Sequence, residues 1–365
     1  MKVLTLLGTR PEIIRLSRII PLLDQRLGAG AGHILAHSGQ NYDDRLDGLF
    51  FRELELRAPD VYMGIRAEST GAQIAQILEQ SEALFVQERP DKLLILGDTN
   101  TGLAALIAKR MNIPVYHMEA GNRCYDDTVP EEVNRRIIDH CSDILLPYTH
   151  SSADNLRREG IASDRILVTG NPIKEVIDYY APQISAANPF EKYDVEPDQY
   201  ILVTAHRAET VDVRERLMLL METLQAASKK YNMPVLVSLH PRTQDKLKSA
   251  GLSTEAFTAL RLVPPMGFFD FVRLQQEAFC VLSDSGTVQE ECCIMGVSSV
   301  ILRNVTERPE TLECGSSVLG GVQTQRILPL IDQALEHRGT WTVPEEYLRN
   351  NVAETVVDIL LEGRR

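Results

Sequence analysis

Residues 279–291 read FCVLSDSGTVQEE. Phe279–Leu282 is a short apolar run of the strand type; Ser285, Gly286 and Thr287 then turn the chain, and an acidic helical segment follows. A strand that turns directly into a helix presents backbone N–H groups at the helix N-terminus, whose partial positive charge favours a di-anion such as a pyrophosphate. Glu290 and Glu291, about one turn in, are acceptors suited to sugar hydroxyls. Any strand-to-helix turn favours Ser, Asp and Gly as well, so the rest of the chain has to decide between the two readings.

Working outward, short β-branched or Leu-rich runs alternate with helical patterns along the whole length, the mark of parallel α/β sheets made of βαβ units. The first series of predicted strands is Val3–Leu7, His33–His37, Lys92–Leu96, Pro114–Met118, Ile144–Leu146 and Arg165–Val168. The second is Tyr200–Thr204, Val235–Leu239, Arg261–Val263, Phe279–Ser283 and Ser299–Leu302. Between them, residues 181–199 hold three prolines and no helical period, and read as a linker. The expectation is two doubly wound, Rossmann-like domains, 1–180 and 200–365. A cleft would lie between the carboxyl ends of their strands, where such sheets bind ligands. The last segment, Pro344–Leu361, is helical in pattern and a candidate to pack back on the N-terminal domain.

Composition agrees with this size. A chain of 365 residues exceeds the single-core limit of about 250–300. With 44% hydrophobic and 24% charged residues it reads as an ordinary globular protein. The net charge of −13, without any Lys/Arg block, argues against nucleic acid as a partner. Six cysteines show no metal-type spacing and read as reduced thiols, mostly in cores. The N-terminus is broken too soon by Arg10, Glu12 and Arg15 for a signal peptide, and no run approaches the ~20 apolar residues of a membrane span. A cytoplasmic protein without a metal is expected.

Polar clusters follow one predicted strand after another. After the first comes Gly8-Thr9-Arg10-Pro11-Glu12, in which Gly8 allows a tight turn, Pro11 suits the first helical position, and Arg10 is free to reach a phosphate or simply to be solvated. Arg15 belongs either to the same patch or, more in keeping with its helix, to an exposed face. Asp98 follows the Lys92–Leu96 strand, as a helix cap or as a catalytic carboxylate. Glu119, followed by Ala-Gly, is a poor cap, and a functional role leads. Glu131 and Arg135 start a helix behind Pro130 as either a stabilising i,i+4 pair or site residues. His206 follows the first strand of the second series as acid, base or phosphate donor. His240-Pro241-Arg242 and Thr306–Glu310 follow later strands, and Arg308 echoes Arg10. Phe271 is a candidate to face a uracil ring or to fill the core.

GTRPE (8–12), GDTNT (97–101), EAG (119–121), PEEVNR (130–135), HR (206–207), SDSGTVQEE (283–291) and TERPE (306–310) resemble, in order and spacing, the UDP-N-acetylglucosamine 2-epimerase family. The resemblance implies the glycosyltransferase-B architecture, interconversion of UDP-GlcNAc and UDP-ManNAc without a cofactor, and a homodimer. It implies that Arg10, His206, Ser285, Gly286, Thr287, Glu291 and Arg308 hold UDP, a set to which the residue reading adds Arg15 and Phe271 as candidates. It further implies that Asp98, Glu119, Glu131, Arg135 and His206 surround the sugar or move its protons. The chain departs from the common family pattern at Arg15 (Lys), Thr287 (Gly), Ala208 (Arg) and Met266 (Gln). GNRC at 121–124 resembles the branch that epimerises UDP-2-acetamido-2,6-dideoxy-L-talose to UDP-N-acetyl-L-fucosamine. The implied chemistry is loss of UDP from C1 as a base takes the C2 proton, then re-addition with protonation on the other face. A transferase of the same architecture and an inactive UDP-sugar-binding regulator are the alternatives; the number of strand-end carboxylates counts against both.

Overall fold

The computed structural model of the protein describes residues 1–40, 44–239, 241–249 and 257–362. It divides into two compact units, Met1–Asp178 with Glu345–Arg365, and Tyr179–Pro344.

The first unit is built on β1 (Val3–Leu7), β2 (His33–His37), β3 (Val61–Tyr62), β4 (Lys92–Leu96), β5 (Val115–Met118) and β6 (Ile144–Leu146). They pair in parallel in the order β3-β2-β1-β4-β5-β6. The second unit carries β7 (Ile201–Thr204), β8 (Val235–Ser238), β9 (Leu260–Val263), β10 (Cys280–Ser283), β11 (Ser299–Ile301) and β12 (Ser317–Leu319). Their order, β12-β11-β10-β7-β8-β9, is again parallel throughout and repeats the winding of the first sheet. All five residues of β1 are buried, as a parallel strand covered by helices on both faces must be. Its core continues into Leu93, Ile95, Leu103, Ala104, Ala105 and Ala108.

In each sheet the winding reverses between two central strands, β1 and β4 in the first, β7 and β10 in the second. Loops that leave the carboxyl ends on either side of such a point diverge and open a crevice. The turns that follow these four strands, 8–9, 97–99, 205–207 and 284–285, are therefore set in the place where doubly wound sheets take ligands.

Several expectations are corrected. Residues 165–168 form no strand: Ser163–Arg165 is a 3₁₀ turn, and Ile166 makes only an isolated bridge to Leu145. The edge strands β3 and β12 were not expected, since two or three residues leave too little pattern to read. The expected linker, 181–199, instead holds two short helices, Ala181–Ala186 and Pro189–Tyr193, each with proline at its start, and lies inside the second unit. Those prolines begin helices where they had been taken to forbid them, and Phe190 and Tyr193 pack against a core that contains Tyr200 and Leu274. The second unit ends at Pro344, and the last segment does return as expected: Val352–Glu362 is a helix of the first unit, packed on the helix Ile19–Leu27. His240 and the side chains of Pro241 and Arg242 lie outside the described residues. Among the described residues no helix is long and apolar enough to cross a membrane.

Candidate functional site

In the second unit β10 runs through Asp284 and Ser285 into the helix Gly286–Met295. Ser285 occupies the N-cap with extended backbone (φ −91°, ψ 128°), and its side chain does not cap the helix. A helix pairs none of its first-turn N–H groups internally, which leaves donors at this mouth of the kind that suit an anion. Arg308 stands against it. A Cβ added at Gly286 would lie 2.9 Å from Glu307 Oε1 and 3.4 Å from the Arg308 guanidinium carbon, so glycine leaves room for Glu307 with Arg308 beside it. Arg308 is buried, and its Nε donates to the fully buried Glu290. Glu290 is thereby engaged inside the protein. Glu291, also buried, accepts from Gln275 Nε2 at 2.9 Å. Thr287 is half-buried at the helix mouth, and Phe271 is half-buried and packs on the core beside Val263 and Met295.

Asp284 escaped the sequence reading. Its buried carboxylate accepts the backbone N–H of both His206 and Arg207 at 2.7 Å, tying the turn after β7 to the cradle. His206 keeps a 37% exposed side chain, with Nδ1 3.5 Å from Asp284 Oδ1. The signal was present as an aspartate directly past the strand, but its targets lie 78 residues away in sequence.

In the first unit Asp98 and Glu119 are each held by a guanidinium. Asp98 Oδ2 accepts from Arg135 Nε at 2.9 Å and lies 2.6 Å from Nη2 as an ion pair. Its helix-capping alternative fails, because Thr99 occupies the cap position of the 3₁₀ turn Asn100–Leu103. Arg135 also donates to Glu132 Oε2 at 2.7 Å. Glu119, one residue past β5, hydrogen-bonds Arg15. Arg15 is 1% exposed, not on a solvated face, and it also meets the Tyr148 hydroxyl at 3.1 Å and the Tyr148 ring. Glu119 adopts φ +65°, a left-handed conformation that costs a non-glycine residue of order 1–3 kcal/mol and clusters at functional sites. Glu131 is half-buried on the helix Pro130–Cys141 that also carries Arg135. Arg10 is half-buried over the Phe50 ring.

Gly8 earns its place by close approach rather than by a turn: a Cβ there would fall 2.2 Å from Ser38 Oγ and 2.3 Å from Thr101 Oγ1. Beside it, Glu12 accepts from the Gly8 N–H (3.0 Å), Thr9 Oγ1 (2.7 Å) and Thr99 Oγ1 (3.2 Å), joining the turns after β1 and β4. Burial raises its pKa from 4.5 to about 7, against these hydrogen bonds, which lower it. Below pH 4.5 folded and unfolded chains are both protonated at this group. As the pH rises the unfolded chain ionises first, so stability falls until the folded carboxyl ionises near 7. Glu12→Gln abolishes this titration. The unfolding free energy of the variant relative to wild type should move in its favour by about 3 kcal/mol across that window, at 1.36 kcal/mol per unit; a difference flat with pH in urea melts would contradict it.

A sequence model of the UDP-N-acetylglucosamine 2-epimerase family matches residues 28–361. The chain belongs to that family. It is 36% identical to the UDP-N-acetylglucosamine 2-epimerase of Methanocaldococcus jannaschii, with 100% of each chain covered. It is 33% identical, over 90% of each chain, to the UDP-2,3-diacetamido-2,3-dideoxy-D-glucuronate 2-epimerase of Pseudomonas aeruginosa. It superposes with a TM-score of 0.94 on the crystal structure of the M. jannaschii UDP-GlcNAc 2-epimerase in complex with UDP-GlcNAc and UDP, at 36% identity over 100% of both chains. The fold class expected from the resemblance, two doubly wound sheets of the glycosyltransferase-B type, is the one found.

In this member of the 2-epimerase family a buried network, also missed in the sequence, supports the carboxylate loops. Arg123 is gripped by Glu159 (2.8 and 2.6 Å) and Asp139 (2.8 Å). Asp139 also accepts the Gly121 N–H at 3.2 Å and lies 2.8 Å from His117 Nδ1, whose other ring nitrogen lies 2.8 Å from the Gly97 carbonyl. The network thus reaches both the residue before Asp98 and the loop after Glu119. Glu132 completes it by accepting the Cys124 and Tyr125 N–H groups at 3.0 Å. Burial alone would raise the Glu132 pKa, but those amides and Arg135 outweigh it and keep it low. Asp139→Asn leaves a buried arginine with one carboxylate in place of two, and is expected to cost about 3 kcal/mol in urea unfolding; a change within 0.5 kcal/mol, typical of an ordinary surface site, would show the network to be slack.

Proposed function

We propose that the chain is a non-hydrolysing UDP-N-acetylhexosamine 2-epimerase of the UDP-GlcNAc to UDP-ManNAc type. The observation that carries this reading is that Asp98 and Glu119 follow neighbouring, register-paired strands, β4 and β5, each in the grip of its own arginine. The C2 proton of the sugar has no adjacent carbonyl, so its removal needs the C1–O bond to break in the same event. A base takes the proton, UDP leaves, and a 2-acetamidoglucal remains; UDP then adds back to C1 while a proton arrives on the opposite face of C2. Two faces require two groups, and Asp98, Glu119 and Glu131 supply them. Charge growing on the β-phosphate is met by Arg10, Arg308, His206 and the Ser285–Thr287 backbone, with Arg15 and Arg135 setting the carboxylates. Glu291 and Phe271 complete the nucleotide set. The reaction needs no resident cofactor, and a cytoplasmic homodimer belongs to the same reading.

The relatives differ in the sugar named for them, and here the loop 121–124 bears on the choice: Asn122 Nδ2 is 3.4 Å from Glu119 Oε1, and the Cys124 thiol 3.9 Å from Arg135 Nη1. UDP-2-acetamido-2,6-dideoxy-L-talose is the second substrate to offer. Chromatography of an incubation with UDP-GlcNAc should yield a second nucleotide sugar of equal mass without net release of UDP. Stoichiometric UDP and free ManNAc would mark a hydrolysing enzyme, and inertness toward both substrates would sink the reading.

A further inference from the structure

The helix Gly286–Met295, whose mouth forms the phosphate cradle, carries Cys293 near its far end, and the short helix Pro309–Glu313 that begins beside Arg308 ends on Cys314. The two sulfurs are 3.8 Å apart. Cys293 is buried and Cys314 half-buried, so one thiol meets solvent and the other waits behind it. We propose that Cys293 and Cys314 form a reversible thiol–disulfide site, oxidised by a peroxide-class oxidant and reduced by a dithiol.

The chemistry balances without a protein-bound redox group. The Cys314 thiolate attacks one peroxide oxygen; an S–O bond forms, the O–O bond breaks and the departing hydroxide leaves as water. The Cys293 sulfur then attacks the Cys314 sulfur, an S–S bond replaces the S–O bond, and the second oxygen leaves as water with the Cys293 proton. Two thiols lose two electrons and two protons, and the peroxide becomes two waters. Attack by the more exposed, more acidic thiol is the usual order in such pairs. The hydrogen bond with Cys293 lowers the Cys314 pKa, and contact with the Ser316 hydroxyl at 3.4 Å acts in the same sense.

Bond formation draws the sulfurs from 3.8 Å to about 2.05 Å. The movement falls on two helices already pinned together by Thr306 and Thr311 on the two ends of Gln289 and by Arg308 on Glu290. Arg308 opens the helix that Cys314 closes and its Nε is bonded to Glu290 in the helix Gly286–Met295, so a shift of the short helix pulls on Arg308 where it stands beside the cradle. Resting on the nucleotide reading above, the oxidised protein binds UDP about tenfold more weakly.

The test treats the intact protein with a small excess of hydrogen peroxide, alkylates, digests and weighs the peptides. The expected result is one joined pair linking Cys293 to Cys314, two hydrogens lighter than the separate thiols and released by dithiothreitol. It should be absent from Cys314→Ser and Cys293→Ser, with Cys314→Ser epimerising as wild type does. Calorimetry with UDP should show the tenfold loss and its recovery on reduction. Two thiols still open to alkylation, or Cys314 oxidised to the sulfinic acid without a joined peptide, would overturn the site; this reading uses wild type alone and survives a variant that fails to fold. A disulfide that leaves UDP affinity unchanged would overturn its coupling to the cradle. Failure of the reduced protein to bind UDP would instead overturn the nucleotide reading and leave the cysteine site standing.

Discussion

Asp98→Asn is expected to lower kcat by roughly 10²–10⁴-fold, the range for a lost proton-transfer group. The substitution keeps the shape of the side chain and removes its basicity. Arg135, which donates to Asp98 through Nε and pairs with it in charge, retains Glu132 at 2.7 Å and so keeps a charged partner. The loss of stability should stay at about 1–3 kcal/mol, the cost of weakening a buried hydrogen-bonded group, and UDP should bind as before. Steady-state kinetics together with UDP calorimetry separates these terms. A kcat within tenfold of wild type would remove Asp98 from the proton chemistry and leave it as an anchor for Arg135.

Arg308→Met is expected to weaken UDP binding by about 10²–10³-fold, the loss of one preorganised donor being worth about 3–4 kcal/mol. It also withdraws the guanidinium from Glu290, a carboxylate with no exposure, and removal of one partner of a buried pair costs about 3–5 kcal/mol of stability. The two effects come apart in the double variant Arg308→Met/Glu290→Gln. Stability should largely return, because the buried charge is gone, while UDP affinity should not. Recovery of UDP affinity along with stability would mean that Arg308 serves only the fold.

The winding of both units was legible because a parallel strand buried on both faces is written as an unbroken apolar run. Val3–Leu7, His33–His37, Lys92–Leu96 and Ile144–Leu146 begin and end where those runs do. The edge strands were not legible, since Val61–Tyr62 and Ser317–Leu319 bury too little to impose a pattern. Proline misled between residues 181 and 199, where it starts helices.

The polar residues at strand ends were visible for the same reason as the strands, since polar types directly after an apolar run need an explanation. What they hold was not visible. Arg15 meets Glu119 from 104 residues away, Asp284 meets the His206 turn from 78, and Glu159 meets Arg123 from 36. Such partners are joined by the sheet order, which brings β1 beside β4, β4 beside β5 and β7 beside β10, and no local spacing records them. Buried acids such as Glu12, Glu132 and Asp139 look in sequence like ordinary helix charges, and only the fold shows what they carry.

Proton NMR of the protein with UDP-GlcNAc in D2O tests the central claim, inversion at C2 by elimination and re-addition. The account predicts UDP-ManNAc bearing deuterium at C2, with deuterium entering the residual UDP-GlcNAc as the reaction turns back. UDP-ManNAc that kept its original proton at C2 would contradict the exchange of protons between enzyme and solvent on which the roles of Asp98, Glu119 and Glu131 rest.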